Sequence, residues 1–189
     1  MTVNLNKHIG SPSSNLAAMA LARGLSPTSH VDAFLQIEGV KGESQADGFT
    51  DQIELLNWSF GVFNQGSMAA GGGGGSGKAV FNDLTCVHRI DKASPVLMLK
   101  CSNGEHIKSA VLSVRKTSGK KPLVYVKITL DDLIISSVHV DSVPESPDLM
   151  EAFTINYAKI KLEYVPQKSD GSADAGVEFK WDIKKNISA

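Results

Sequence analysis

The sequence predicts an all-β fold with one short helix, built as an antiparallel barrel or sandwich. Three observations predict it. From Val31 onward apolar and polar residues alternate, Gly, Pro and Asp turns interrupt the alternation, and a single internal segment carries helix signals at both its ends. Alternation, unlike an unbroken apolar run, belongs to antiparallel strands with one covered face. At 189 residues the chain suits one domain with a sizeable core and is too short for two ordinary ones.

Residues 1–30 differ in character from the rest of the chain and read as an N-terminal extension. Asn4 to Pro12 is polar and turn-like. Leu16 to Leu25 (LAAMALARGL) is a short helical stretch that Ser13, Ser14 or Asn15 could cap and that Ser26-Pro27 ends. A cleaved secretory leader is the competing reading. Against it stand the brevity of the apolar stretch and a leading segment with a single Lys7.

Residues 31–189 read as the barrel domain. Val31 to Glu38 is a first strand, followed by the polar loop GVKGESQADG. Gln52 to Asn64 alternates, with Leu56, Trp58, Phe60 and Val62 on one face and Asn57, Ser59 and Gly61 on the other. Gly66 to Lys78 (GSMAAGGGGGSGK) holds five successive glycines, which have no side chains to bury, and so forms a long loop or an extended hairpin tip. Ala79 to Ile90 resumes a strand pattern. Ser94 then caps a helix with Pro95 in its first turn, and Asn103-Gly104 ends it. His106 to Lys116 is a further strand, closed by SGKKP, and Leu123 to Val140 is one long strand or two in succession. Asp131-Asp132 reads as a strand end or turn. In Ala152 to Val165 the apolar positions shift from Phe153, Ile155 and Tyr157 to Ala158, Ile160, Leu162 and Tyr164, the phase change that a β-bulge produces. The last strand sets Val177, Phe179, Trp181 and Ile183 against Glu178, Lys180, Asp182 and Lys184.

Composition and motifs exclude several chemistries. Nineteen basic and twenty acidic residues give a net charge of -1, so no global field draws the chain to nucleic acid or an anionic membrane. No apolar run approaches the roughly 20 residues that span a bilayer, so membrane insertion is not expected. Cys86 and Cys101 form no disulfide framework and lack zinc-site spacing. Gly72-x-x-x-x-Gly77-Lys78 fits most of a phosphate-binding loop. However, Ala79 stands where Ser or Thr must hold magnesium, and the residues beyond alternate as a strand where a helix is needed. His8, His30, His88, His106 and His139 show no metal-site spacing and read as surface or strand-end residues. Cys86 with His88, or Cys101 with His106, could be imagined as nucleophile and base, but both cysteines sit in packing positions and read as inert thiols. No catalytic residue, metal site or cofactor is expected, and the chain reads as a non-enzyme.

Several segments in order resemble the haemolysin-coregulated protein (Hcp) family of type VI secretion systems. They are VDAFLQIEGVKGES, ELLNWSFGVFNQGSM, GGGGGSGK, DLTCVHRIDKASPVLMLKCSNGEH, LVYVKITLDDLIISSV, YVPQKSDGSADAG and FKWDIKKN, which together run from Val31 to about Ser188. Residues 1–30 precede the usual family start.

The resemblance implies an antiparallel β-barrel subunit, six copies of which form a ring with a wide channel. Rings stack into an inner tube that a contractile sheath drives out beneath a VgrG-type spike. It implies synthesis in the bacterial cytoplasm followed by secretion, without a cleaved leader, and small secreted effectors as passengers. Members that carry a C-terminal toxin domain extend further than Ala189. By family correspondence, Ser59 of the Trp-Ser-aromatic motif faces the channel and contacts cargo. The ring-stacking loop would comprise Gly66, Ser67, Met68, Gly71, Gly72, Gly73, Gly74, Gly75, Ser76, Gly77 and Lys78. A helix beside the channel wall would carry Pro95, with Leu97, Met98 and Cys101 packing onto the sheet. The alternative is a monomeric β-barrel module that binds a protein or peptide at its mouth or at an edge strand.

Overall fold

The computed structural model describes residues 31–66, 76–116, 122–142 and 149–189. Among the described residues nine strands and one helix follow in order: β1 (Val31–Ile37), β2 (Ile53–Ser59), β3 (Val62–Gly66), β4 (Ser76–Phe81), β5 (Leu84–Arg89), α1 (Ser94–Asn103), β6 (Ile107–Lys116), β7 (Leu123–Ser142), β8 (Leu149–Tyr164) and β9 (Val177–Asp182). Every strand pair is antiparallel. The large sheet has the order β5-β2-β1-β6-β7-β8-β9, and a further pairing of β5 with β8 closes its first six strands into a barrel. Closure removes the free edges of those six. β8 is long enough for two tasks: Met150 to Ile155 pairs with β5, and Lys159 to Tyr164 carries β9 as a flap beyond the barrel. β3 and β4 form a separate two-stranded hairpin.

Alternation fills the barrel. Leu35, Ile53, Leu84, Cys86, Leu112, Ile128, Leu130, Leu133, Ile135, Phe153 and Ile155 are all buried in one cluster, and Leu97 of α1 joins it. Burial at this density is the main stabilising term of such a domain. The loop after β1 folds back over the outer face of that strand. Phe49 stacks on Phe34 with ring centres 4.4 Å apart, and the Arg115 guanidinium lies 4.9 Å above the Phe34 ring. Gly42 makes this fold-back possible, because a Cβ there would sit 2.3 Å from the Gln52 carbonyl oxygen.

Several local expectations are corrected. Gln52 to Asn64 is not one strand: it bends at Phe60-Gly61, and a bulge between Leu55 and Asn57 takes Leu56 off the face that holds Trp58. Val62 is exposed. Ala79 to Ile90 likewise breaks at Asn82-Asp83. Ser94 is the first helical residue and not the cap: the cap is Ala93, with no side-chain hydrogen bond, while the Asp91 carboxylate accepts from the Ala93 amide. Gly104 ends α1 in the left-handed region at φ 64°, as expected of its position. Leu123 to Ser142 is one continuous strand.

Asp131 and Asp132 lie inside that strand, with Asp132 held at φ 53°, a left-handed conformation that Asp tolerates better than most side chains. Opposite them β8 makes its change of phase, and both strands step together: Asp131 still faces Lys159 and Leu133 still faces Tyr157. The register is therefore kept where a bulge confined to β8 was expected. The bulge that does occur between these strands lies in β7, at Ser136.

Candidate functional site

Ser59 is the last residue of β2, and the bulge at Leu56 decides where it points. After the bulge Trp58 returns to the core and Ser59 takes the opposite face, where it is exposed. Its cross-strand neighbour on β5 is Thr85, and the neighbour of Thr85 on β8 is Thr154. Thr85 and Thr154 are out of phase with Leu84, Cys86, Phe153 and Ile155, so they share the outer face with Ser59. The β7 bulge then sets two residues, Ser136 and Ser137, against Thr154. A row of hydroxyls thus crosses four strands, positioned by two bulges. Beside the row on the same face lies a small apolar cluster of Val87, Met150 and Ala152, with Leu56 packed against it.

The row ends on a carboxylate. Asp83 accepts from Ser136 Oγ at 2.6 Å and from Asn156 Nδ2 at 2.7 Å. The Thr154 hydroxyl lies 2.8 Å from that of Ser136 and 2.6 Å from that of Ser137. A hydroxyl owns one proton. Since Ser136 spends its proton on Asp83, Thr154 must donate to Ser136 and Ser137 to Thr154. The chain is directional, with each bond polarising the next toward the negative end. Neutral hydroxyls that both donate and accept can meet many partners without demanding a charge from them.

At the edge of this face the hairpin projects. Its first leg, Phe60-Gly61, leaves Ser59 directly, and its second, Asn82-Asp83, enters β5. Of the residues expected in a stacking loop, Gly66 closes β3 and pairs with Ser76, while Gly77 and Lys78 lie within β4. Lys78 in a strand agrees with the rejection of a phosphate loop. Ser67, Met68, Gly71, Gly72, Gly73, Gly74 and Gly75 lie outside the described residues. Val62, Phe63 and Val80 of the hairpin are exposed, whereas Phe81 turns to β9, with ring centres 6.4 Å from Phe179 and 6.5 Å from Trp181.

In α1, Leu97 is fully buried and Cys101 packs against the core, as expected. Met98 does not pack: it is 42% exposed, next to the more exposed Leu99. Burial pushes the Cys86 thiol far above its ordinary value, which leaves it a poor nucleophile.

Two titratable groupings escaped the reading of the sequence. His88 is no surface residue: it is 1% exposed and its Nε2 lies 2.8 Å from Oε1 of the fully buried Glu151. The signal was its phase, since it follows Leu84 and Cys86 on the inward positions of β5. The partner, 63 residues away, gave none. The second is Asp132, which is ion-paired to Lys184 and hydrogen-bonded to His106 Nδ1 at 3.1 Å. Lys184, followed by His106, holds its carboxyl below the ordinary value. These three side chains rim a cleft of about 330 Å³ whose floor includes Leu133, Ile134 and Tyr157. Tyr157 donates to the Asn82 carbonyl at 3.0 Å, and burial raises its phenol. Among the described residues no cluster of three His, Cys, Asp or Glu side chains is placed to hold a metal, and no helix is long and apolar enough to cross a membrane.

Comparison with known proteins gives a consistent result. The family model described as "Type VI secretion system effector, Hcp" matches residues 34–164. Protein hcp1 of Pseudomonas aeruginosa is 41% identical over 160 residues, covering 84% of this chain and 99% of that one. The crystal structure of Hcp1 from Salmonella typhimurium is similar with a TM-score of 0.71 at 32% identity, covering 85% of this chain and all of the other. The solved structure of a type six secretion system protein is similar with a TM-score of 0.79 at 25% identity, covering 84% of this chain and 99% of the other.

Proposed function

The chain belongs to the Hcp family of type VI secretion proteins, and we propose that it works as the ring-forming subunit of a secretion tube, with Ser59 and its hydroxyl row facing the channel. Six copies close each ring, and rings stack through the β3–β4 hairpin and the glycine-rich segment between its strands. Made in the cytoplasm, the tube is pushed out by a contractile sheath beneath a VgrG-type spike and carries small effectors against its hydroxyl face. Pro95, Leu97, Met98 and Cys101 belong to the helix that flanks the channel wall, and residues 1–30 are an addition to the ring-forming unit.

One observation carries this reading: the barrel closes on itself, yet the chain keeps two open strand borders outside it. β9 pairs with β8 along one side, and apart from a bridge between Asp182 and Ile187, no strand among the described residues pairs with its other side. Val177 on that strand is 64% exposed, and the hairpin presents Val62, Phe63 and Val80. Open strand edges beside exposed apolar side chains are association surfaces. Neighbours related by rotation would cover them and close a ring.

Electron microscopy of the purified protein, together with sedimentation velocity, tests the reading. Rings with six-fold symmetry are the expected result. A species that stays monomeric at micromolar concentration would overturn it and favour the monomeric binding module.

A further inference from the structure

Asp83 occupies a position that neither the barrel core nor an edge strand explains. It lies in the two-residue link between β4 and β5, at the foot of the hairpin. The hairpin has few other ties to the barrel. The Asn82 amide donates to Gly61 O at 2.8 Å, which joins one leg to the other, while on the core side Tyr157 of β8 donates to the Asn82 carbonyl at 3.0 Å and Phe81 meets Phe179 and Trp181. On the outer side the Asp83 carboxylate makes the connection. Each of its oxygens takes one hydrogen bond, from Ser136 on β7 and from Asn156 on β8. Ser136 is itself held by Thr154 in the middle of the hydroxyl row.

A two-stranded ribbon fixed on one side only can rock about that contact. Fixed on both sides, by the aromatic contact and the Tyr157 hydrogen bond within and a carboxylate without, it holds one angle. We propose that Asp83 is the positioning residue that sets the angle of the β3–β4 hairpin against the outer face of the barrel. Through Ser136 and Thr154 it makes the hairpin and the hydroxyl row one mechanical unit. This rests on the reading of the hairpin as the stacking element. It adds that the reach of the hairpin toward the next ring is governed from the face that cargo would touch. Coupling of that kind is reciprocal: whatever the row binds must favour one hairpin angle as much as that angle favours binding.

Amide hydrogen exchange on the full-length protein tests the assignment, with tube length measured by electron microscopy alongside. Asp83→Ala removes both acceptors, whereas Asp83→Asn can still accept from Asn156 and offer its amide to Ser136. In Asp83→Ala, the amides of Val62 to Asn64 and Lys78 to Phe81 should exchange about tenfold faster, from the loss of the anchoring bonds. Those of Leu112 and Ile128 should hold, and tubes should shorten. Asp83→Asn should restore both readouts. Thr154→Val, which cuts the row behind Ser136, should loosen the same hairpin amides by a smaller factor. Unchanged hairpin exchange in Asp83→Ala, or equal acceleration throughout the barrel, would overturn the assignment. Local loosening with tubes of unchanged length would overturn the link to stacking. Absence of rings from the unaltered protein would instead overturn the tube-subunit function, while exchange would still decide the role of Asp83.

Discussion

The buried pair of His88 and Glu151 should behave as a unit whose halves cannot be removed separately. Its two side chains are 1% and 0% exposed, and they meet at 2.8 Å in a site walled by Phe153, whose ring stands edge-on to the imidazole at 5.4 Å. The other atoms are already short of partners. His88 Nδ1 and Glu151 Oε2 have no hydrogen-bond partner, and the next carboxylate, that of Asp91, lies 3.8 Å from Nδ1. Glu151→Leu therefore leaves a buried imidazole with nothing to bond, and His88→Leu leaves a buried carboxyl group in the same condition. Each should cost about 3 kcal/mol or more, a large part of the roughly 5–15 kcal/mol by which domains are stable. The double variant replaces both with apolar groups of similar size. It should cost clearly less than the sum, with an interaction energy of about 2 kcal/mol. Urea unfolding followed by the fluorescence of Trp58 and Trp181 gives the four corners of the cycle, at one protomer concentration because assembly would shift apparent stability. Single costs below about 1 kcal/mol, or additivity within about 0.5 kcal/mol, would refute the reasoning.

Three further outcomes are expected. Deleting residues 1–30 should leave rings intact in electron micrographs, because the strands that close the barrel begin at Val31; loss of rings would show that the extension bridges subunits. Gly42→Ala must push aside the Gln52 backbone and should cost on the order of 2 kcal/mol in unfolding experiments, whereas a neutral result would mean that the loop yields freely. Lys184→Ala should raise the Asp132 carboxyl toward its ordinary value as followed by NMR titration, with His106 retaining part of the depression. The sign comes from linkage: a depressed carboxyl adds stability above the ordinary carboxylate range, and that share fades as acidity passes the folded value, so the variant should lose it first. An unmoved titration would count against the ion pair.

Alternation exposed most of the fold, because period two survives wherever one face is covered. It failed where the backbone changed phase without a change in composition. The bulge at Leu56 sets Leu56 and Trp58 on opposite faces within a run that reads as uniform, and the breaks at Phe60-Gly61 and Asn82-Asp83 were hidden for the same reason. The orientation of Ser59 was legible, since a residue between two aromatics must oppose them if either is packed. Its companions were not. Thr85, Thr154, Ser136 and Asp83 come together through register between distant strands, and nothing local marks them. The pairing of His88 with Glu151 shares that fate: phase alone marks His88 as inward, and only closure of β5 on β8 makes the two partners.

The simultaneous phase step of β7 and β8 carries a consequence for how this architecture can change. Inserting or deleting a single residue in one of the two strands near Asp132 or Ala158 would turn the remainder of that strand inside out while its mate stayed put. Matched changes in both would preserve the pattern. Homologues should therefore vary in length here only in concert, and the distance between barrel and flap can lengthen or shorten only by such paired steps.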